Sequence, residues 1–132
     1  MKTIYIKRLK KFASALMPYW IITDISKSTF MEQQGLSEDI LDALLQGKTA
    51  IRLNQSELDR IGSRILNGHT IKLEISESVD TLFACTITGF LSKEIHISDF
   101  NATENDPIII TTAGGWNTLS GPVFVESNTS NK

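Results

Sequence analysis

The sequence predicts a mainly β protein, an antiparallel β-sandwich that carries a helical insertion at about residues 29–67. Three observations predict it. Short runs of apolar and β-branched residues on both sides of the insertion repeat with period two, as strands with one wet face do. Helix caps and glycine stops cluster between those runs. The chain has 132 residues, 41% hydrophobic and 21% charged, which is one ordinary domain of near-average composition. Residues 1–126 are therefore expected to form one globular unit, with a polar tail at 127–132.

The elements follow in chain order. Thr3 to Leu9 carries Ile4 and Ile6 at period two and is a strand. Leu16 to Thr23 is apolar throughout, so it is a buried second strand with Pro18 at its start or on a non-bonded edge. Thr29-Phe-Met-Glu32 fits a capping box, and Gly35 offers a left-handed stop. Ser37 caps a second helix with Ile40, Leu41, Leu44 and Leu45 on one face; Glu38, Asp39 and Asp42 take the other, and Gly47 ends it. Thr49 to Leu53 is a short strand. Ser56-Glu-Leu-Asp59 begins a third helix running through Leu66 to an Asn67-Gly68 terminator, weakened at Gly62.

From His69 onward the pattern is β. His69 to Ile75 alternates, with Ile71, Leu73 and Ile75 inward. Thr81 to Gly89 is apolar on both faces and so more central, and Leu91 to Ser98 alternates again. Ile108 to Thr112 and Val123 to Glu126 are the last strands. About seven short strands of this kind suit an immunoglobulin-like or related sandwich, with α+β as the alternative. Parallel winding is disfavoured, because only residues 49–76 alternate strand, helix and strand.

The stretch Lys10-Lys-Phe-Ala-Ser-Ala-Leu-Met-Pro-Tyr-Trp-Ile-Ile22, with Asn67-Gly-His-Thr-Ile-Lys-Leu-Glu-Ile75 much later, resembles small Gram-positive bacterial β-sandwich domains of unknown function. These have a similar aromatic second strand and a comparable entry into a later strand. The resemblance covers the outer thirds of such domains. It implies a sandwich fold and brings no catalytic residues; the helical insertion departs from the shorter forms.

Composition excludes several function classes. Thirteen Lys and Arg against fifteen Asp and Glu give a net charge of −2, so a uniformly basic nucleic-acid binder is not expected. Five of the basic residues fall in the first eleven positions, leaving eight basic against fifteen acidic, or −7, elsewhere. That N-terminal strip, with Lys7, Arg8, Lys10 and Lys11, is a candidate anion-binding surface; otherwise it is the wet face of an edge strand, where lysines discourage edge-to-edge pairing. One cysteine and two histidines make neither a disulfide framework nor a four-ligand zinc site. Pro18 and Asp24 break the N-terminal apolar stretch and no cleavage site follows, so a cytoplasmic protein is expected, with no signal peptide and no membrane span.

Catalytic candidates are few. Cys85 sits mid-strand in the most apolar segment, which suits a small buried hydrophobe better than a nucleophile. His69 follows a turn, and His96 lies between Ile95 and Ile97 on the opposite, wetter face. Glu38, Asp39 and Asp42 lack the spacing of a calcium loop, and Gly114-Gly115 lies between strands, the wrong context for a phosphate loop. No cofactor and no metal are expected. The loop holding Gly114, Gly115, Trp116 and Asn117 stands out, because a tryptophan beside two glycines either presents an aromatic surface to a partner or folds back to plug the end of the sandwich.

These readings lead to a non-catalytic interaction module that contacts a protein partner through an exposed sheet edge or the Trp116 loop, with a homodimer through an edge strand as one form of it. The alternatives are an acidic inhibitor or immunity-type protein covering a basic enzyme surface, and a small hydrolase using His69 or His96.

Overall fold

The computed structural model describes residues 1–11, 17–112 and 121–126. Its strands are β1 (Lys2–Arg8), β2 (Tyr19–Ile22), β3 (Gly62–Ile65), β4 (Thr70–Ile75), β5 (Thr81–Cys85), β6 (Ile95–His96), β7 (Ile108–Thr112) and β8 (Pro122–Phe124). Three helices, α1 (Lys27–Gln34), α2 (Glu38–Leu45) and α3 (Gln55–Ile61), lie between β2 and β3. The strands form two four-stranded sheets, ordered β4-β1-β7-β8 and β3-β2-β5-β6. The architecture is thus mixed α and β, and the α+β description fits it as well as the mainly β one.

Side-chain parity explains the layering. Ile4 and Ile6 of β1, with Ile75, Ile108 and Ile110, face Tyr19, Ile21, Ile65, Leu82 and Ala84 of the second sheet. The other parity of that sheet, Trp20, Ile22, Phe83 and Cys85, meets Phe30, Leu36, Leu53 and Leu58 from the helical region. The second sheet is therefore buried on both faces, which is why Tyr-Trp-Ile-Ile is continuously apolar and not alternating. Phe30 and Phe83 meet edge to face, centroids 5.3 Å apart. Each such fully buried large side chain contributes about 1.5–3 kcal/mol relative to exposure. The helices are accordingly a third layer and not an appendage.

Several boundaries differ from expectation for local reasons. Five of the six described pairings are antiparallel, but β1 and β7 run parallel, with Ile6 beside Ile108 and Arg8 beside Ile110. The sheets are thus mostly antiparallel, as the sequence suggested, with one parallel pair; the long chain between these two strands permits a crossover. Helix α1 is capped by the Ser26 hydroxyl, which accepts from Thr29 N–H, and so starts before the Thr29 box. Gly35 does take the left-handed stop, at φ 69°, and Ser37 caps α2. Helix α3 is capped by Asn54 and stops at Ile61, short of the expected Leu66.

The chain turns from α3 straight into β3 at Gly62. A Cβ there would lie 2.5 Å from Ile22 Cδ1 and 3.0 Å from the Ile21 carbonyl oxygen, so the close approach of β3 to β2 requires glycine. Residues 49–53 do not form the expected strand; Leu53 N–H reaches the Ile87 carbonyl at 2.7 Å in place of a ladder. The expected strand from Leu91 to Ser98 is interrupted. Leu91 bridges Cys85 and Ser92 N–H donates to the Ala84 carbonyl at 2.8 Å, but Ala84 N–H donates at 2.8 Å to Ser92 Oγ, which itself donates to the Lys93 carbonyl, so a side chain takes one half of the ladder there. Only Ile95–His96 pairs as β6, and a 3-10 turn covers Ile97–Asp99. No helix among the described residues is long and apolar enough to cross a membrane.

Candidate functional site

The N-terminal basic strip does not form one surface. Strand β1 is interior to its sheet, between β4 and β7, and so is not the edge strand expected. Parity sends Arg8 inward with Ile4 and Ile6, and it is fully buried. Its Nη1 donates to the Met17 carbonyl at 2.6 Å and the Ile65 carbonyl at 3.1 Å, while the guanidinium carbon sits 3.8 Å from the Tyr19 ring centroid. Tyr19 in turn hydrogen-bonds through its hydroxyl to Thr112 Oγ1. Burial lowers the Arg8 pKa, with Tyr19 opposing the shift, yet arginine keeps its charge at any ordinary pH. Arg8 is thus a strut joining the two sheets, a correction to its place among surface anion ligands. Lys7 lies on the outer face of β1, and the Lys10 stem runs beside Gly68. Lys11 donates its backbone N–H to Asn67 Oδ1 at 3.0 Å.

The candidate catalytic groups are far apart in kind. Cys85 is buried beneath the helices, and desolvation pushes its thiol up to about 12, away from the reactive thiolate. His69 is exposed at the turn before β4. His96 is exposed at the β6 edge, with Nδ1 3.2 Å from Asp80 Oδ2. Asp80 also accepts from Ser98 N–H at 3.0 Å and Ser98 Oγ at 3.3 Å. The Ser98 N–H, then His96, hold the Asp80 carboxyl below its usual range. Because the Ser98 hydroxyl points at the carboxylate and not at the imidazole, this trio fastens a strand end and does not activate a nucleophile. Glu38, Asp39 and Asp42 remain on the α2 surface, and no group of three or more metal-ligating side chains occurs among the described residues. Gly114, Gly115, Trp116 and Asn117 lie outside the described residues.

The sheet order leaves two flanks where end strands of the two sheets lie side by side, and each flank holds a cavity. Between β3 and β4 the cavity is about 400 Å³, bordered by Thr23, Arg60, Ser63 and Glu74. Charges line this side: Arg64 pairs with Asp59 at 2.8 Å, Arg60 with Glu57 at 2.6 Å, and Lys72 with Glu74 at 3.8 Å. Asp59 also accepts from the Trp20 indole N–H at 2.8 Å; this bond first, and then Arg64, holds its carboxyl below the usual range, and it pins α3 to the sheet.

The other flank, between β6 and β8, holds a groove of about 800 Å³ walled by Leu91, Ile95, Phe100 and Phe124, with Lys93 and Glu126 at its rim. Val123 of β8 and Val125 just beyond its end are 42% and 41% exposed. The β8 backbone is also turned outward. Val125 N–H donates to the Ile109 carbonyl at 2.8 Å, whereas the Ile110 carbonyl accepts from Leu9 on the other side of β7. Strand alternation therefore points the Phe124 N–H and C=O away from β7, toward the open edge, where β8 ends its sheet among the described residues. Sequence reasoning identified the strand but missed the groove. The available signal was Val123, Phe124 and Val125 in succession, an end strand without a charge of its own.

No protein-family model matches the chain, and no curated protein and no solved structure matches it.

Proposed function

We propose that this protein is a non-catalytic interaction module, a β-sandwich with a helical third layer, that engages a protein partner along the flank between β6 and β8. One observation carries the reading: the larger cavity, the exposed valines and the outward-facing backbone of Phe124 coincide on one flank. Monomeric proteins cover or charge their edge strands, so the uncharged β8 edge beside a groove with an apolar wall and a charged rim is suited to pairing with another chain. The buried thiol and the surface position of both histidines favour this over the hydrolase alternative.

Photo-crosslinking tests it. A benzoylphenylalanine is introduced in the native cell at Val125, and separately at Lys72 on the opposite flank and at Leu45 on the helical layer. The reading expects a discrete covalent adduct from Val125 and none from the other two positions. Adducts from Lys72 or Leu45 alone, or none from Val125, would contradict it.

A further inference from the structure

The proposed contact surface leaves its occupant open, and the residues of β8 narrow the choice. Extending the first sheet by one more strand requires an incoming edge that bonds to Phe124 and tolerates a valine on either side of it. Pro122-Val-Phe-Val-Glu126 has that property with respect to itself, being symmetric in side-chain type about Phe124 across three residues.

Resting on that reading of the flank, we propose that the occupant is a second copy of this chain, joined by antiparallel pairing of β8 with β8 about a two-fold axis at Phe124. In that register Phe124 faces its own twin, and the two residues exchange N–H and C=O bonds in both directions. The outward N–H of Glu126 then meets the Pro122 carbonyl of the mate, at both ends of the pair. Pro122 offers no N–H, which is tolerable only because it lies at the end of the pairing. Val123 falls opposite Val125 of the mate, so four exposed valines come together on the outer face, beside Ile109 and Thr111. Phe124 lines the groove on the other face, so its twin extends that apolar wall.

Charge agrees with this register. Glu126 is the one charged residue of the segment, and the register sets it against Pro122 and not against its own twin. The groove lining carries Lys93 with Glu94, Asp99 and Glu126, an acidic excess that opposes the approach of two copies at low salt and is screened at higher salt. The opposite flank differs: β4 exposes Thr70, Lys72 and Glu74, and β3 exposes Arg64. A pairing of so few residues buries less than a standard interface, so the dimer is expected to be weak and dependent on concentration.

Sedimentation velocity across a range of concentrations tests the register as well as the dimer. The wild-type chain should shift from monomer toward dimer as concentration rises. The double variant V123K/V125K places lysine opposite lysine twice and should weaken self-association by at least about tenfold. The variant V123K/V125E places lysine opposite glutamate twice and should retain it, with both variants melting near wild type because these side chains are solvent-exposed. A dimer that both variants preserve, or that both abolish, would overturn the register. A chain that stays monomeric throughout would overturn the second copy; if Val125 then crosslinks to a different protein, the flank remains the contact surface, and if it crosslinks to nothing, that reading falls too.

Discussion

The two flanks of this protein solve the same problem in opposite ways. Each brings together the end strands of two sheets, and each therefore presents backbone that another chain could extend. On the β3–β4 flank the exposed positions carry Arg64, Lys72 and Glu74, and Thr3 Oγ1 donates to Glu74 Oε2 at 2.7 Å. A strand arriving there would have to strip water from charges. On the β6–β8 flank the end of the first sheet exposes Val123 and Val125, while the polar groups, His96 on β6 and Lys93, Glu94, Asp99 and Glu126 around the cavity, lie beside an apolar wall. Charge is thus unevenly shared between the exposed strand positions of the two flanks.

Substitutions on each flank separate stability from association. The largest effect is expected on the guarded flank from Gly62→Ala, which drives a methyl against Ile22 and the Ile21 carbonyl and should destabilise the fold by about 2–3 kcal/mol in denaturant unfolding. A neutral result would mean that β3 does not approach β2 so closely. On the open flank Phe124→Ala removes a side chain that packs only partly on the inter-sheet core. Its loss should cost about 1–2 kcal/mol, below the range for a fully buried phenylalanine; a larger loss would make β8 a stability element before a contact element.

Stripping the guard should alter association more than folding. Lys72→Val with Glu74→Val should change unfolding free energy by no more than about 0.5 kcal/mol, since exposed pairs contribute little, yet create self-association through β4. A double variant as monomeric as its parent would show that charge is not what protects that edge. The smallest effect concerns the clasp behind the open flank. The folded pKa of Asp80 lies below its unfolded value, so its contribution is fully present above about pH 4 and is lost as pH falls through the lowered folded value. Asp80→Asn should therefore flatten the decline of melting temperature below pH 4; an unchanged slope would show that Ser98 and His96 do not favour the carboxylate.

Much of this was legible in the sequence, and the exceptions are instructive. Period two located β1 and β4, and the same count from Ile4 and Ile6 lands on Arg8, so its burial was legible despite its basic neighbours. Gly35 and Ser37 announced their caps because capping is a local interaction. What stayed hidden depends on partners distant in the chain. Residues Ser63–Ile65 continue a helical pattern until β2 supplies a ladder, and tertiary pairing then outweighs local preference. Nothing in β1 or β7 alone says that they run parallel. The open flank exists only because β6 and β8 each end a sheet among the described residues, a property of strand order that no single segment contains.

The proposed contact surface depends above all on β8 being the edge that other chains meet. Backbone amide shifts followed by NMR as the protein is concentrated test this directly. The account predicts that the Phe124 and Glu126 amides move or broaden with concentration, while those of Lys72 and Glu74 keep their positions. Amides of β4 that respond while Phe124 and Glu126 stay fixed would contradict it.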